Sequence, residues 1–259
     1  MTWIDAIILG LIQGFTEFLP VSSSGHLEIG KVLLGADIKE NITFTIVVHG
    51  ATVCSTIVVF YKEIGNLFKG LFSFKWNDST IYVSKLILSC IPVLILALFF
   101  EKRIESLFTG KLLLVGSMLL ITALLLAFAH FSKPKEKQIS FFHSLVIGIA
   151  QAMAVIPGIS RSGATISTGL LLGNKREEVA RFSFLMVLIP IIGKNVLDMV
   201  DGTFAKESAE MIPLIIGFIA AFLSGWLACK WMINIVKQSK LIYFAAYCFI
   251  IGMLAIIFS

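Results

Sequence analysis

Gln13-Gly14-Phe15-Thr16-Glu17-Phe18-Leu19-Pro20-Val21-Ser22-Ser23-Ser24-Gly25-His26 is a polar interruption in a segment, Ile4 to Gly35, that is otherwise apolar. It starts as helix, because Gln13 and Glu17 stand one turn apart and share a face. Pro20 ends the regular helix and frees backbone groups. Three hydroxyls, a glycine and an imidazole follow at once. A second stretch, Pro157-Gly158-Ile159-Ser160-Arg161-Ser162-Gly163-Ala164-Thr165, breaks the apolar region Phe141 to Gly173 in the same way.

The space between Lys137 and Lys175 holds a single full charge, Arg161. Two complete crossings of about 20 residues each, plus a turn, do not quite fit there. A helix that descends to mid-membrane, unwinds and returns does fit, and irregular backbone is tolerated where protein or a water-filled cavity surrounds it. The alternative is a tight hairpin of two tilted full spans. An internal repeat links the two breaks. At an offset of 138, Gly10 matches Gly148, Gln13 matches Gln151, Ser22 matches Ser160, Ser24 matches Ser162, Gly25 matches Gly163, and Leu33-Leu34-Gly35 matches Leu171-Leu172-Gly173. Repeat one covers about 1–131 and repeat two about 139–259 of one membrane domain. A broken pair followed by three full crossings reverses direction an odd number of times, so the repeats are expected in opposite senses across the membrane.

Composition agrees with a membrane protein. Of 259 residues, 58% are hydrophobic and 14% charged, with a mean hydropathy of +0.95; an ordinary soluble domain has about 25% charged residues. Full spans are expected at Thr43 to Phe60, Leu86 to Phe100, Leu112 to Ala129, Met211 to Cys229 and Leu241 to Phe258, with a sixth from Phe182 to Gly193 that Lys194 interrupts. The predicted fold is therefore an all-α polytopic membrane protein: six full transmembrane helices plus two broken re-entrant helix pairs. The 21 Lys and Arg exceed the 16 Asp and Glu, but no basic stripe lies outside the short loops, so no nucleic-acid partner is expected. The surplus reads as orientation instead. One side collects Lys31, Lys39, Lys102, Arg103, Lys111 and Lys206. The other collects Lys62, Lys69, Lys75, Lys133, Lys135, Lys137, Lys175, Arg176, Arg181, Lys230, Lys237 and Lys240. The richer side is expected in the cytoplasm, with both termini outside and the first break entering from the outer face. The start Met1-Thr2-Trp3-Ile4-Asp5 has no basic n-region or cleavage site, so no signal peptide is expected to be removed. Cys54, Cys90, Cys229 and Cys248, one to a segment, read as small core hydrophobes.

Ionisable groups at membrane depth are costly and default to functional candidates. Arg161 offers a planar bidentate partner to phosphate oxygens, and unwound backbone at a helix start offers N–H groups to an anion. If the breaks meet, they form a pocket for a phosphorylated headgroup. Glu17, Ser23 and His26 add a carboxylate base, a hydroxyl nucleophile and an imidazole. Other groups read more plainly. His49, His130 and His143 stand alone on apolar faces and are taken as structural. Glu28 and Lys31 either line the cavity mouth or pair with each other. Lys194 snorkels and pairs with Asp198.

The patterns QxxxEFLPVSSSGH over Gln13 to His26 and PGISRSGAT over Pro157 to Thr165 resemble the two signature motifs of the bacterial undecaprenyl-diphosphatase family, also called bacitracin-resistance proteins. Length, hydrophobicity and repeat layout resemble that family over essentially the whole chain. The resemblance implies a phosphatase of the bacterial cytoplasmic membrane. It would remove the terminal phosphate of undecaprenyl diphosphate and regenerate the monophosphate carrier for cell-wall synthesis, with a divalent cation, Mg2+ or Ca2+. It implies Glu17, Ser23, His26 and Arg161 as catalytic residues, and Glu17 also as metal ligand. Gln13, Ser22, Ser24, Ser160, Ser162 and Thr165 are the substrate-binding candidates. Many members carry glutamate at the position of Gln13, which weakens a two-carboxylate metal site and leaves Glu17 as the essential acid. The expected partners are a polyprenyl diphosphate lipid and the membrane, and a homodimer is the assembly entertained.

The expected reaction is in-line displacement at the terminal phosphorus, with Ser23 or water attacking (or His26, should Ser23 prove dispensable), Glu17 as base or metal ligand, His26 otherwise orienting or donating a proton, and Arg161 neutralising the equatorial oxygens. The competing class is a transporter or flippase for a polyprenyl-phosphate lipid, because inverted repeats with broken helices serve translocation equally well. A carrier needs the anion clamp but not an acid, a hydroxyl and an imidazole around it. A purely structural scaffold leaves Arg161 at depth without a purpose.

Overall fold

The computed structural model describes residues 1–34, 42–107, 111–132, 135–200, 211–238 and 240–259, with backbone only at 31, 33–34, 42, 101, 105 and 198–200. Among them are twelve helices and no strand. Thr2 opens α1 (Trp3–Phe18) with a reciprocal cap: its hydroxyl accepts from the Asp5 amide, and the Asp5 carboxylate accepts from the Thr2 amide. Leu19 leaves the helix in an extended conformation, as the residue before a proline prefers. The chain then turns through Ser22, whose φ is +70°, into α2 (Ser23–Leu34). The second break repeats this pattern. Helix α7 (Phe141–Met153) stops short of Pro157, and α8 (Arg161–Leu171) restarts under a Ser160 cap, whose hydroxyl accepts from the Gly163 amide at 3.0 Å.

Between the breaks lie α3 (Ile42–Val59), α4 (Tyr61–Leu71), α5 (Asp78–Glu105) and α6 (Leu112–Phe131). After them come α9 (Arg176–Met186), α10 (Leu188–Val200), α11 (Met211–Lys237) and α12 (Ile242–Ile257). By length and apolarity four described segments can cross a membrane: Asp78–Phe100, Leu112–Phe131, Arg176–Leu197 and Met211–Lys237. A fifth is the α3–α4 pair, which bends by 78° after Val59 instead of ending in a plain loop. Six spans were expected. The remaining one, Leu241 to Phe258, is the 16-residue α12, about 24 Å of helix against a hydrocarbon core of about 30 Å. The Phe182 to Gly193 segment starts earlier than expected, at Arg176, and changes helix at Val187.

Helix α1 lies along α11 and runs in the same direction, with Gly10 against Gly217 and Gly14 against Ser224. Helix α7 lies against α5, where Gly148 meets Ser89, and α6 crosses α12 where Gly116 and Gly252 meet. Small residues at these crossings let backbones approach where no hydrophobic force drives helices together. The core between the breaks is aromatic: Phe18 on α1 and Phe60 both pack on Phe184 of α9, with centroids 5.7 and 6.3 Å apart. The outer surface is apolar, with Leu98, Phe99, Phe128 and Phe249 all more than half exposed, as lipid permits and water does not. Cys90, Cys229 and Cys248 are buried as expected, but Cys54 is exposed on α3. The pairs expected for Lys31 and Asp198 rest on side chains outside the described residues, as do Lys39, Lys133 and Lys206 of the charge count.

Candidate active site

The two breaks meet. Ser162, on the first turn of α8, donates its hydroxyl to the Leu19 carbonyl at 3.0 Å, so backbone freed by Pro20 is satisfied by the other break. Beside this tie, Arg161 Nη2 donates to Glu17 Oε1 at 2.6 Å, and its Nη1 donates to the Ser183 carbonyl of α9 at 3.2 Å. The other carboxylate oxygen, Glu17 Oε2, accepts from Ser23 Oγ at 2.7 Å and from Gln13 Nε2 at 3.0 Å. One carboxylate, 8% exposed, thus joins a guanidinium from α8, an alcohol from α2 and an amide from its own helix. An ion pair this deep is strongly unfavourable to break on one side only, so Glu17 and Arg161 hold each other in place.

Local sequence explains each position. The i, i+4 spacing on α1 places Gln13 over Glu17. The left-handed Ser22 turns the chain back so that Ser23, the first residue of α2, faces the carboxylate. Arg161 is the first residue of α8, where helix amides converge on an anion. The remaining candidates hold this arrangement. Ser22 Oγ accepts from the Gly25 amide at 3.2 Å and lies 3.4 Å from Ser24 Oγ. Ser160 caps α8 and lies 3.2 Å from Ser162 Oγ. Thr165 donates to the Arg161 carbonyl at 2.9 Å and lies 2.6 Å from Ser183 Oγ.

His26 takes partners other than Glu17. Its Nδ1 donates to the Ser22 carbonyl at 2.9 Å, which leaves Nε2 of a neutral ring to accept from the Tyr247 hydroxyl, also at 2.9 Å. The two rings are nearly parallel, at 11°. Tyr247 on α12, Ser183 on α9 and Thr122 on α6 were not found in the sequence. Thr122 Oγ1 accepts from the Ser160 amide at 3.0 Å and lies 3.2 Å from the Gly158 carbonyl, pinning the second break. Each is a lone polar residue in an apolar run, with no local pattern to mark it. Of the histidines read as structural, His49 Nδ1 lies 2.8 Å from the Thr45 carbonyl of its own helix while its ring is within electrostatic reach of Glu17, and Asn174 Nδ2 donates to His143 Nδ1 at 2.9 Å.

Among the described residues no group of three or more His, Cys, Asp or Glu side chains is placed to hold a metal. What the site does offer is oxygen. Gln13 Oε1 is buried without a hydrogen-bond partner, and its orientation is fixed because Nε2 must face the carboxylate. An amide oxygen beside a carboxylate suits a hard cation that takes its other ligands from phosphate and water. Its counterpart Gln151 has Val155 one turn on, and both its amide atoms lack partners.

In sequence the chain is similar to known proteins. The family described as Bacitracin resistance protein BacA matches residues 6–254. The chain is 56% identical to the undecaprenyl-diphosphatase of Bacteroides thetaiotaomicron, covering 99% of each chain. It is 55% identical to that of Parabacteroides distasonis, covering 99% of this chain and 98% of the relative. At 39% identity it also matches the undecaprenyl-diphosphatase of Methanosphaera stadtmanae, again over 99% and 98%.

Proposed function

Because the chain belongs to the bacitracin resistance protein BacA family, we propose that it hydrolyses undecaprenyl diphosphate to undecaprenyl phosphate and inorganic phosphate, recycling the lipid carrier for cell-wall synthesis. The observation that carries this reading is the Glu17 carboxylate, bonded at once to the Ser23 hydroxyl and the Arg161 guanidinium. A phosphatase uses all three groups. A carrier has no use for an alcohol hydrogen-bonded to a base, and the flippase reading is not favoured.

Each group has a place in the reaction. Arg161 exchanges part of its bond to Glu17 for the terminal phosphate and neutralises charge on the equatorial oxygens. Glu17 Oε2 accepts a proton from the attacking oxygen, which is Ser23 Oγ or a water in its place. The new P–O bond forms as the bond to the bridging oxygen breaks, and undecaprenyl phosphate leaves. If Ser23 attacks, Glu17 passes its proton to the departing undecaprenyl phosphate or to solvent; water then attacks the phosphoserine, its proton going to the freed Glu17 carboxylate and on to Ser23 Oγ as the P–Oγ bond breaks and inorganic phosphate leaves. His26 remains fixed between Ser22 and Tyr247 at the edge of the cluster. A divalent cation would be held by Glu17 and Gln13 and would supply charge neutralisation at the diphosphate.

The architecture that goes with this reading is an inverted repeat of six full spans and two re-entrant pairs, over about 1–131 and 139–259. The contacts support it, since α1 packs on α11 as α7 packs on α5, and α6 packs on its own counterpart α12. The Lys and Arg count supports a site opening to the outer face of the bacterial cytoplasmic membrane, with both termini outside. A homodimer is the assembly carried with that reading.

Purified protein in detergent, given undecaprenyl diphosphate and Mg2+ or Ca2+, is expected to release inorganic phosphate. Arg161→Ala is expected to abolish release, and Ser23→Ala separates the attackers: loss names the serine, retention names water. Lipid binding without phosphate release under any divalent cation would return the carrier reading.

A further inference from the structure

Helix α3 carries a polar row where a spanning helix needs only apolar side chains. Thr45, His49, Thr52 and Thr56 follow one another at alternating steps of four and three residues, which sets them on one face, and Thr52 and Thr56 are buried. These two threonines satisfy themselves, donating to the His49 carbonyl at 2.8 Å and to the Thr52 carbonyl at 3.0 Å. His49 does not. Its Nδ1 must carry the proton, because its partner is the Thr45 carbonyl. A neutral ring then presents a bare acceptor at Nε2, and no described residue donates to it.

The row points at the reaction centre. Phe60, whose amide bonds to the Thr56 carbonyl, continues the row and packs on Phe184. Phe184 in turn packs on Phe18, the neighbour of Glu17, and Ser183 beside it holds Arg161. Depth agrees with direction. Phe44 and Gly10 both lie against Gly217, and Ser55 and Gly14 both lie against Gly225, so His49, between Phe44 and Ser55, stands beside the turn of α1 that carries Gln13. Its ring is within electrostatic reach of Glu17.

We infer that His49 is a further residue of the site, whose Nε2 accepts a hydrogen bond from the water that attacks phosphorus and so positions that water. This rests on the phosphatase reading and names a group that the reaction uses. A bare acceptor at membrane depth is costly, and hydrolysis brings a donor to it. One hydrogen of the water lies on Nε2, and Glu17 takes the other as the new P–O bond forms and the bond to undecaprenyl phosphate, or to Ser23 Oγ, breaks. Glu17 remains the base. What His49 contributes is the line of attack, which the transition state needs and lipid binding does not, so its loss lowers kcat and spares KM.

The test pairs a binding probe with a variant. Full-length protein carrying nitrogen-labelled histidine is titrated in detergent with inorganic phosphate, and the ring signals of His49 are expected to move while those of His130, on the last turn of α6, stay. His49→Asn keeps a donor for the Thr45 carbonyl but has no Nε2. Its kcat for undecaprenyl diphosphate is expected to fall about tenfold, the worth of one hydrogen bond, with KM within about twofold. Its thermal midpoint is expected to match wild type. In dilute methanol the variant is expected to form more methyl phosphate relative to inorganic phosphate than wild type does, because the position that favoured water is gone; a purely structural role would not change that ratio. Cys54→Ala, on the same helix and exposed, is expected to behave as wild type throughout. His49 signals that ignore phosphate, a wild-type kcat for His49→Asn, or an unchanged product ratio overturns the assignment. The titration reports binding alone. A wild-type protein whose His49 responds to phosphate yet which releases none from undecaprenyl diphosphate therefore leaves His49 in the pocket and sinks the phosphatase reading.

Discussion

Glu17 accepts three hydrogen bonds inside the membrane domain, and two of the donors, Arg161 and Ser23, belong to groups whose own positions are fixed elsewhere. Arg161 is anchored by the Ser183 carbonyl and by its place at the start of α8, and Ser23 by the left-handed turn at Ser22. His26 is held by a different set. Tyr247→Phe keeps the ring and removes only the donor to Nε2, a hydrogen bond worth about 1 kcal/mol. Because His26 takes no step in the reaction and the Tyr247 ring is kept, kcat and KM are expected to stay within about twofold, while the nitrogen NMR signals of His26 are expected to shift as Nε2 loses its partner. Unaltered signals would show that the phenol does not hold the imidazole. The acid, the alcohol and the guanidinium were legible in the sequence because each is a polar residue at an improbable depth. Tyr247 was not, since a tyrosine among apolar residues also suits a membrane interface. The direction in which His26 points was equally hidden, because it depends on α12, more than two hundred residues away.

Helix packing sets how closely the two breaks approach. A Cβ on Gly14 would overlap Ser224 Oγ and come within 2.5 Å of the Ala221 carbonyl oxygen, and Gly14 lies one turn before Glu17. Gly14→Val is expected to push α1 from α11, costing about 1–3 kcal/mol as a lower thermal midpoint in detergent, and to lower activity with it. Gly65, where an added Cβ would meet nothing within 4 Å, is the control, and Gly65→Ala is expected to leave both unchanged. If Gly14→Val melts and works as wild type does, the close α1–α11 contact is wrong. The breaks themselves were legible, because Pro20 and the Pro157-Gly158 pair stop a helix wherever they stand. The 78° bend between α3 and α4 was not. Val59, Phe60 and Tyr61 carry no breaker, and the bend follows the packing of Phe60 against Phe184. The early start of α11's neighbour α9 at Arg176 was masked by its charged first turn, Arg176-Glu177-Glu178, which a search for uncharged runs passes over.

Across the whole molecule the two halves contribute unlike chemistry through like backbones. The first break carries the carboxylate, the alcohol and the imidazole; the second carries the guanidinium, and its Gln151 has no acid beside it. These groups come together only where the two breaks touch. The match of Gly10 to Gly148 and of Ser22 to Ser160 made the equivalence of the breaks readable in the sequence. Their meeting was expected from their complementary chemistry and is seen in Arg161 on Glu17; the tie from Ser162 to the Leu19 carbonyl was not, because no spacing encodes that contact. The most direct test is a double-mutant cycle on kcat/KM for undecaprenyl diphosphate, using Glu17→Gln and Arg161→Lys. Each single change is expected to cost about a hundredfold or more, and the double variant is expected to be little worse than the poorer single, because groups acting as one unit are not additive. Losses that simply multiply would mean that Glu17 and Arg161 work apart, and the two breaks would not share a site.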